Sequence, residues 1–201
     1  MDPEDPRDFR ARQREIREEA ILAAAAELIG KVGYDAMSTD DVAARVGISK
    51  RTLYDHFRSK ELLAVRVVTS GMEKVMRAFD AVDLSLPAID QLAEGLRIAV
   101  RHRLSLWGWG QPVARATLER HEDFLLLRQR AGARVGAYLD AGKREGSVVP
   151  DVPTPLLARL ILQWFSADLS GIVPMSKMSE TRVADAIVRV ILGGVRATRP
   201  L

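Results

Sequence analysis

Apolar residues recur every three to four positions along almost the whole chain, which is the period of an amphipathic α-helix. In the first such segment, residues 8–32, the side chains of Ile21, Ala25 and Leu28 share one face, and the segment stops at Gly33. Neither the alternation of a half-buried strand nor hairpin dipeptides such as Asn-Gly or Asp-Gly occur. The pattern therefore predicts an all-α protein of about nine helices.

Short polar segments mark the starts of the next two helices. Ser38 and Asp41 have the spacing of a capping box for a helix over residues 39–46. Gly47 then supplies a turn, and Ser49 can cap a third helix. Two short helices joined by a glycine-containing turn are typical of the helix-turn-helix motif, whose second helix enters the DNA major groove.

The third helix, residues 50–57, has two distinct sides. Leu53 and Phe57 lie about 40° apart on a helical wheel and form a core stripe. A separate arc carries the polar side chains Lys50, Arg51, Tyr54, Asp55 and Arg58. A recognition helix needs this division, with cations and hydroxyls for phosphates and base edges. The same division is also that of an ordinary amphipathic surface helix.

The run STDDVAARVGISKRTLYDHFRSKELL, residues 38–63, resembles the DNA-binding region of the TetR (tetracycline repressor-type) family of bacterial transcriptional regulators. The alanine-rich helix and the Gly-Tyr turn before this run also match, whereas the remaining two thirds of the chain match in architecture alone. The resemblance implies a three-helix helix-turn-helix DNA-binding domain over residues 1–62. It implies an all-helical effector-binding and dimerisation domain over residues 63–201.

The resemblance also implies DNA contacts of three kinds. Phosphates are expected to be held by Ser38, Thr39 and Lys60. The leading edge of the recognition helix, where bases are read, consists of Ser49, Lys50, Arg51 and Thr52. Tyr54 and His56 match positions that contact the DNA backbone. Arg51 is the residue we expect to contact a base directly.

The last two helices, predicted near residues 155–171 and 180–195, carry wide apolar stripes. Their members are Leu156, Leu157, Leu160, Ile161 and Trp164 in the first, and Val183, Ile187, Val190, Ile191 and Gly194 in the second. A major-groove reader works well as a symmetric dimer. The resemblance implies that these two helices form a four-helix bundle with a second copy, and the alternative is that both stripes face the protein's own core.

The middle of the chain, about residues 62–143, is expected to enclose a ligand pocket. Aromatic and methionine side chains with a few polar groups are typical of sites for apolar small molecules. The candidates are Met72, Met76, His102, Trp107, Trp109, Gln111, Phe124 and Trp164. The alternative is that these residues are core. The segment WGWGQP, residues 107–112, interrupts the helical pattern and is interpreted as a hinge or a pocket lid.

Charge does not by itself indicate a nucleic-acid partner. The net charge is +3, and residues 1–68 carry 12 basic and 13 acidic side chains. Residues 45–60, however, include five basic side chains and only one acidic side chain, that of Asp55. A DNA-binding surface must therefore arise from local arrangement.

Other function classes find little support in the residues. The absence of cysteine excludes disulfides, thiolate zinc sites and cysteine nucleophiles. The chain has three histidines and none of the HExxH, GxSxG, P-loop or GxGxxG motifs, so we expect neither an enzyme nor a cofactor. The acidic N-terminus lacks a signal sequence, and the apolar run at residues 20–26 is too short for a bilayer, so we expect a cytoplasmic protein without membrane contact.

These observations together predict a sequence-specific regulator that binds an inverted-repeat operator as a homodimer. The resemblance implies a repressor that a small ligand releases from DNA, and the apolar middle of the chain favours a mostly hydrophobic ligand. The alternative is a ligand-independent regulator or an activator, in which the C-terminal domain serves only dimerisation or a protein partner.

Overall fold

The computed structural model describes residues 6–107, 113–165 and 178–196. Within these ranges the chain folds into nine α-helices, which confirms the all-α prediction. They are α1 (Pro6–Ala36), α2 (Thr39–Val46), α3 (Lys50–His56), α4 (Lys60–Asp80), α5 (Ala88–Trp107), α6 (Arg115–Leu118), α7 (Glu122–Arg144), α8 (Thr154–Trp164) and α9 (Glu180–Gly193). The β pairing in these ranges is one isolated antiparallel bridge between Val148 and Arg196. No helix in the described ranges is both long and apolar enough to cross a membrane.

The chain forms two compact units, which divide inside α4 between Val68 and Thr69. In the first unit, α2 packs against both α1 and α3. Its core is built from apolar side chains of all four helices, namely Ile21, Ala25, Ile29, Val42, Leu53, Phe57 and Leu63. The apolar helix faces that the sequence pattern predicts therefore point into the core of this unit.

Helix α1 departs from the prediction at its C-terminal end. Gly33 has φ 82° and ψ 162°, which is not helical, and helical backbone resumes after it as far as Ala36. The positive φ explains why a glycine occupies this position, because residues with a side chain rarely adopt a positive φ. The predicted stop at Gly33 is thus a kink followed by one short turn.

An ion pair between Arg45 and Glu27 joins α2 to α1.

The second unit is organised around α5. This helix packs against α7 and α9, and α7 in turn packs against α8. The core includes Leu92, Leu96, Leu139, Val148 and Val188, each at most 1% exposed. Between α5 and α8 the structure has two helices, α6 and α7, which are separated at residues 119–121.

The stripes predicted for the dimer interface are divided between two sides of α8 and α9. Ile161, Val183 and Ile187 are at most 8% exposed and lie in the protein's own core, because α8 and α9 pack against α7 and α5. Trp164 and Ile191 are half-buried against that core, and Gly194 is exposed. Leu156, Leu160 and Val190 face away, with 48%, 59% and 72% of their surfaces exposed. The apolar stripes are therefore wider than one packing partner can cover.

Close packing between α4 and α5 gives a first test of the fold. A Cβ added at Gly95 would lie 2.0 Å from a ring carbon of Phe79, and that ring is itself buried and 6.3 Å from the ring of Tyr138. We expect Gly95→Ala to lower the free energy of unfolding by about 1–3 kcal/mol, since the ring must move within a packed core.

The matched control is Gly136→Ala on α7. There an added Cβ would meet its nearest neighbour, Thr154, at 3.9 Å, an ordinary contact. Because alanine is the better helix former, this variant is expected to be neutral or more stable by up to about 1 kcal/mol. Urea unfolding followed by circular dichroism measures both, and equal effects of the two substitutions would contradict the packing argument.

Candidate nucleic-acid interface

The start of α2 is held by the residues that the sequence singled out. Ser38 is the N-cap, and its Oγ accepts a hydrogen bond from the Asp41 backbone N–H at 3.0 Å. The same hydroxyl donates to Asp41 Oδ2 at 2.6 Å, so the carboxylate reaches back to the hydroxyl. Thr39 is buried, and its Oγ1 shares a hydrogen bond of 3.3 Å with the Tyr54 hydroxyl. The two residues predicted to hold a phosphate therefore already have intramolecular partners.

The turn between α2 and α3 has the predicted glycine and cap. Gly47 adopts the left-handed conformation with φ 74°, which favours glycine, and the Ile48 N–H donates to the Ala43 carbonyl at 3.0 Å. Ser49 caps α3 by accepting from the Thr52 N–H at 3.0 Å, and the Ser49 and Thr52 hydroxyls lie 2.8 Å apart. These contacts fix the entry of the chain into α3.

Helix α3 separates a core side from an exposed side, as its pattern predicted. Leu53 is fully buried and Phe57, which caps the helix at its C-terminal end, is buried as well. Arg51 and Arg58 are exposed, and neither guanidinium forms an ion pair with another described residue. Tyr54 is exposed by 38%. The exposed side thus offers two uncompensated cations and a hydroxyl-bearing ring.

Two predicted DNA-binding lysines are engaged with neighbouring groups. Lys50 forms an ion pair with Asp40, at 2.8 Å from Nζ to Oδ1 and 2.9 Å to Oδ2. The hydrogen bond to Asp40 is the main cause that raises the pKa of Lys50, and the negative charge of the same carboxylate raises this pKa further. Lys60 donates to the Asp35 carbonyl at 3.0 Å, and its Nζ lies 4.7 Å from the centre of the Tyr34 ring. Lys60 therefore closes the end of α1 against the start of α4.

His56 lies at the margin between the core and the exposed side. It is half-buried, and its ring centre is 6.4 Å from that of Phe57. Its Nδ1 is buried without a hydrogen-bond partner among the described residues. Burial lowers the pKa of His56, and the nearby charge of Arg14 lowers it further. A neutral, half-buried imidazole fits the edge position that the helical wheel gave it.

Sequence reasoning missed Asp40. Its carboxylate stands beside a predicted base-reading residue, although the two are ten positions apart in the chain. Nothing in the local pattern of α2 distinguishes Asp40 from Asp41, since both acids suit a helix N-terminus. The fold separates them: Asp41 completes the cap, and Asp40 pairs across to α3.

The candidate ligand residues lie in the second unit, on four of its helices. Met72 and Met76 on α4, His102 on α5, Phe124 on α7 and Trp164 on α8 are each half-buried. The side chain of Trp107 and the residues Trp109 and Gln111 lie outside the described part of the chain, as does most of WGWGQP. Within the described part, no cluster of three or more His, Cys, Asp or Glu side chains could hold a metal ion.

His102 is the most polar of these candidates. Its Nε2 is buried and has no hydrogen-bond partner among the described residues. Burial is the main cause that lowers the pKa of His102, and the positive charge of Lys74 contributes. The imidazole is therefore held in its neutral form, in which one nitrogen donates and the other accepts a hydrogen bond.

Comparisons with known proteins agree with this geometry. Residues 21–67 match the family described as bacterial regulatory proteins, tetR family. The chain is 26% identical to the HTH-type transcriptional regulator EthR of Mycolicibacterium smegmatis, over 92% of this chain and 88% of that protein. It is 24% identical to the HTH-type transcriptional repressor KstR2 of the same organism, over 89% and 90%. A tetR-family regulatory protein from Rhodococcus RHA1 has the same fold, with a TM-score of 0.69, 22% identity, and 91% and 98% of the two chains covered.

The lowered pKa of His102 predicts a pH dependence of stability. The unfolded chain takes up a proton near pH 6.5, whereas the folded chain resists protonation at this site. Below that pH the unfolded state therefore binds more protons than the folded state. The free energy of unfolding consequently decreases as the pH falls from the unfolded pKa of His102 towards its lower folded pKa.

We expect wild-type thermal unfolding to shift to lower temperature between about pH 7.5 and pH 5.5. His102→Gln keeps a polar group of similar size without the titration, so its loss of stability over this range should be smaller. Calorimetry at several pH values measures both slopes. Parallel slopes for the two proteins would contradict the assignment to His102.

Proposed function

Because the chain belongs to the tetR family of bacterial regulatory proteins and is a DNA-binding transcriptional regulator, we propose that it acts as a homodimeric repressor. In this proposal the dimer binds an inverted-repeat operator, and a small, mostly hydrophobic ligand releases it. The observation that carries the DNA part is the exposed, uncompensated guanidinium of Arg51 at the leading edge of α3. This helix is held in place by a full cap and by the buried Leu53.

The proposed contacts follow from the hydrogen-bonding groups of each side chain and from the partners that these groups already have within the protein. Arg51 has its full fork of donors, which suits the O6 and N7 acceptors of guanine. The hydroxyls of Ser38, Thr39, Ser49 and Thr52 are already hydrogen-bonded to neighbours, so they reach phosphates as members of fixed pairs. Lys60 keeps further N–H donors beyond its bond to Asp35, and Tyr54 and His56 lie along the exposed margin of α3.

Selection of random duplex DNA by the purified protein tests this proposal directly. We would select at about 150 mM salt, near physiological ionic strength, and sequence the bound pool. An enriched inverted repeat is the expected result, since two recognition helices related by a twofold axis read the same half-site twice. A pool without enrichment would overturn the sequence-specific operator.

Arg51→Ala refines the test to one side chain. We expect it to reduce discrimination at one base pair of each half-site by about 1–3 kcal/mol. Lys60→Ala is the comparison, and it should weaken all sequences alike and reduce the salt slope by about one unit per lysine. Fluorescence anisotropy on operator and single-mismatch duplexes distinguishes the two. Equal loss of base preference in both variants would contradict these roles.

The exposed apolar residues of α8 and α9 support the proposed dimer. Leu156 and Leu160 are one turn apart on α8 and both face away from the core, as does Val190 on α9. Gly193 and Gly194 at the end of α9 are exposed and would allow a second copy to approach closely. Two such helices from each subunit bury these side chains in a four-helix arrangement.

Leu160→Asp is expected to shift the protein from dimer to monomer and to weaken operator binding, because a charge would be buried in an apolar interface. Leu84→Asp is the control, since Leu84 is even more exposed, at 77%, and lies in the loop before α5. Sedimentation velocity reports the mass of each variant. A dimer that survives Leu160→Asp unchanged would exclude this face.

The half-buried methionine and aromatic side chains of the second unit support an apolar ligand. A ligand that binds one shape of the dimer better shifts the population towards that shape and thereby changes DNA affinity. A thermal-shift screen with apolar small molecules, followed by anisotropy on the selected operator, separates this mechanism from ligand-independent regulation. Stabilisation that leaves operator affinity unchanged would contradict release by the ligand.

A further inference from the structure

The ion pair between Asp40 and Lys50 is placed where DNA recognition is proposed. Asp40 is the second residue of α2, and Lys50 is the first residue of α3. Both carboxylate oxygens lie within 2.9 Å of the ammonium, and the two side chains are 64% and 56% exposed. An ion pair this exposed contributes little to folding stability, because water already solvates both charges. Because the pair lies on the proposed DNA-binding surface, we infer that it has a role other than holding α2 to α3.

The pair changes how many cations the helix-turn-helix offers to DNA. Arg45 is compensated by Glu27 and Lys50 by Asp40, whereas the guanidinia of Arg51 and Arg58 have no acidic partner among the described residues. Binding to arbitrary DNA depends almost entirely on cations that reach phosphates. A lysine held by a carboxylate must first give up that partner, and the carboxylate itself repels phosphates nearby.

We propose that Asp40 is a specificity-determining residue, whose carboxylate holds the Lys50 ammonium and thereby lowers affinity for DNA that α3 does not match. On a matching operator, Lys50 lies at the edge where bases are read. There a remaining N–H of the ammonium can donate to guanine, which is uncharged and can share the ammonium with the carboxylate. On other DNA the acceptor is a phosphate, which the carboxylate repels, so the pair costs more binding there than on the operator. This role rests on the proposed DNA-reading role of α3.

Asp40→Asn tests the role in the full-length protein, because asparagine keeps the shape and removes the charge. The probes are the operator found by selection and a scrambled duplex of equal length and composition. We expect affinity for the scrambled duplex to rise about three- to tenfold, and the magnitude of its salt slope to rise by about one unit for each Lys50 released. Operator affinity should change by less than about threefold, so the specificity ratio falls.

A double-mutant cycle shows whether Asp40 acts through Lys50. In a Lys50→Met background, Asp40→Asn should no longer change the salt slope. Asp55→Asn, which removes an exposed carboxylate of α3 that is not paired with Lys50, controls for a general change of charge. Thermal unfolding of each variant verifies that the fold persists.

Each other outcome overturns the proposal in a recognisable way. An equal gain on the scrambled duplex with and without Lys50 would indicate general repulsion of phosphates by Asp40. A loss of operator affinity with unchanged binding to the scrambled duplex would indicate a direct contact from Asp40 to a base. If selection with the wild-type protein enriched no operator, the DNA-reading surface itself would be wrong, and this is seen before any variant is made.

Discussion

The burial of Leu53 is the constraint on which the candidate interface depends. Helix α3 has seven residues, and a helix this short does not persist alone in water. It is held by the Ser49 cap at its start and by Leu53 and Phe57 in the core shared with α1 and α2. Burying one such side chain contributes about 1.5–3 kcal/mol. Because these two residues fix the rotation of α3 about its axis, they also decide that Arg51 and Tyr54 face outward.

A second consequence concerns the polar groups around that helix. Ser38 with Asp41, Thr39 with Tyr54, Ser49 with Thr52 and Lys50 with Asp40 are four pairs formed within the protein. In the proposed interface each pair orients a group in advance, which would reduce the conformational entropy lost on binding DNA. Each pair would also present DNA with a group that already has a partner. Affinity then depends on whether the DNA supplies a better partner, and that is a property of the sequence bound as well as of its charge.

Features that depend on neighbours in the chain could be predicted from the sequence. The caps at Ser38 and Ser49, the turn at Gly47 and the core stripe of α3 all follow from residues within four positions of each other. The contacts of Asp40 and Lys60 could not be predicted, because their partners lie ten and 25 positions away and meet only once the helices α1 to α4 have packed. The division of the α8 and α9 stripes was missed for the same reason. A helical wheel shows how wide an apolar face is, but the number of neighbours that share the face is decided by tertiary packing.

That division gives α8 and α9 two tasks at once. Their inner residues, such as Ile161 and Ile187, belong to the core built on α5, while their outer residues, such as Leu160 and Val190, face a second copy in the proposed dimer. Interiors are close-packed, so a side chain that moves on the inner face moves the helix that carries it. Phe124 on α7 and Trp164 on α8 are half-buried within the same packed group of helices. In the proposed mechanism, a ligand that rearranged these side chains would therefore displace the outer face as well, and the wide stripes would link the ligand to the geometry of the proposed dimer.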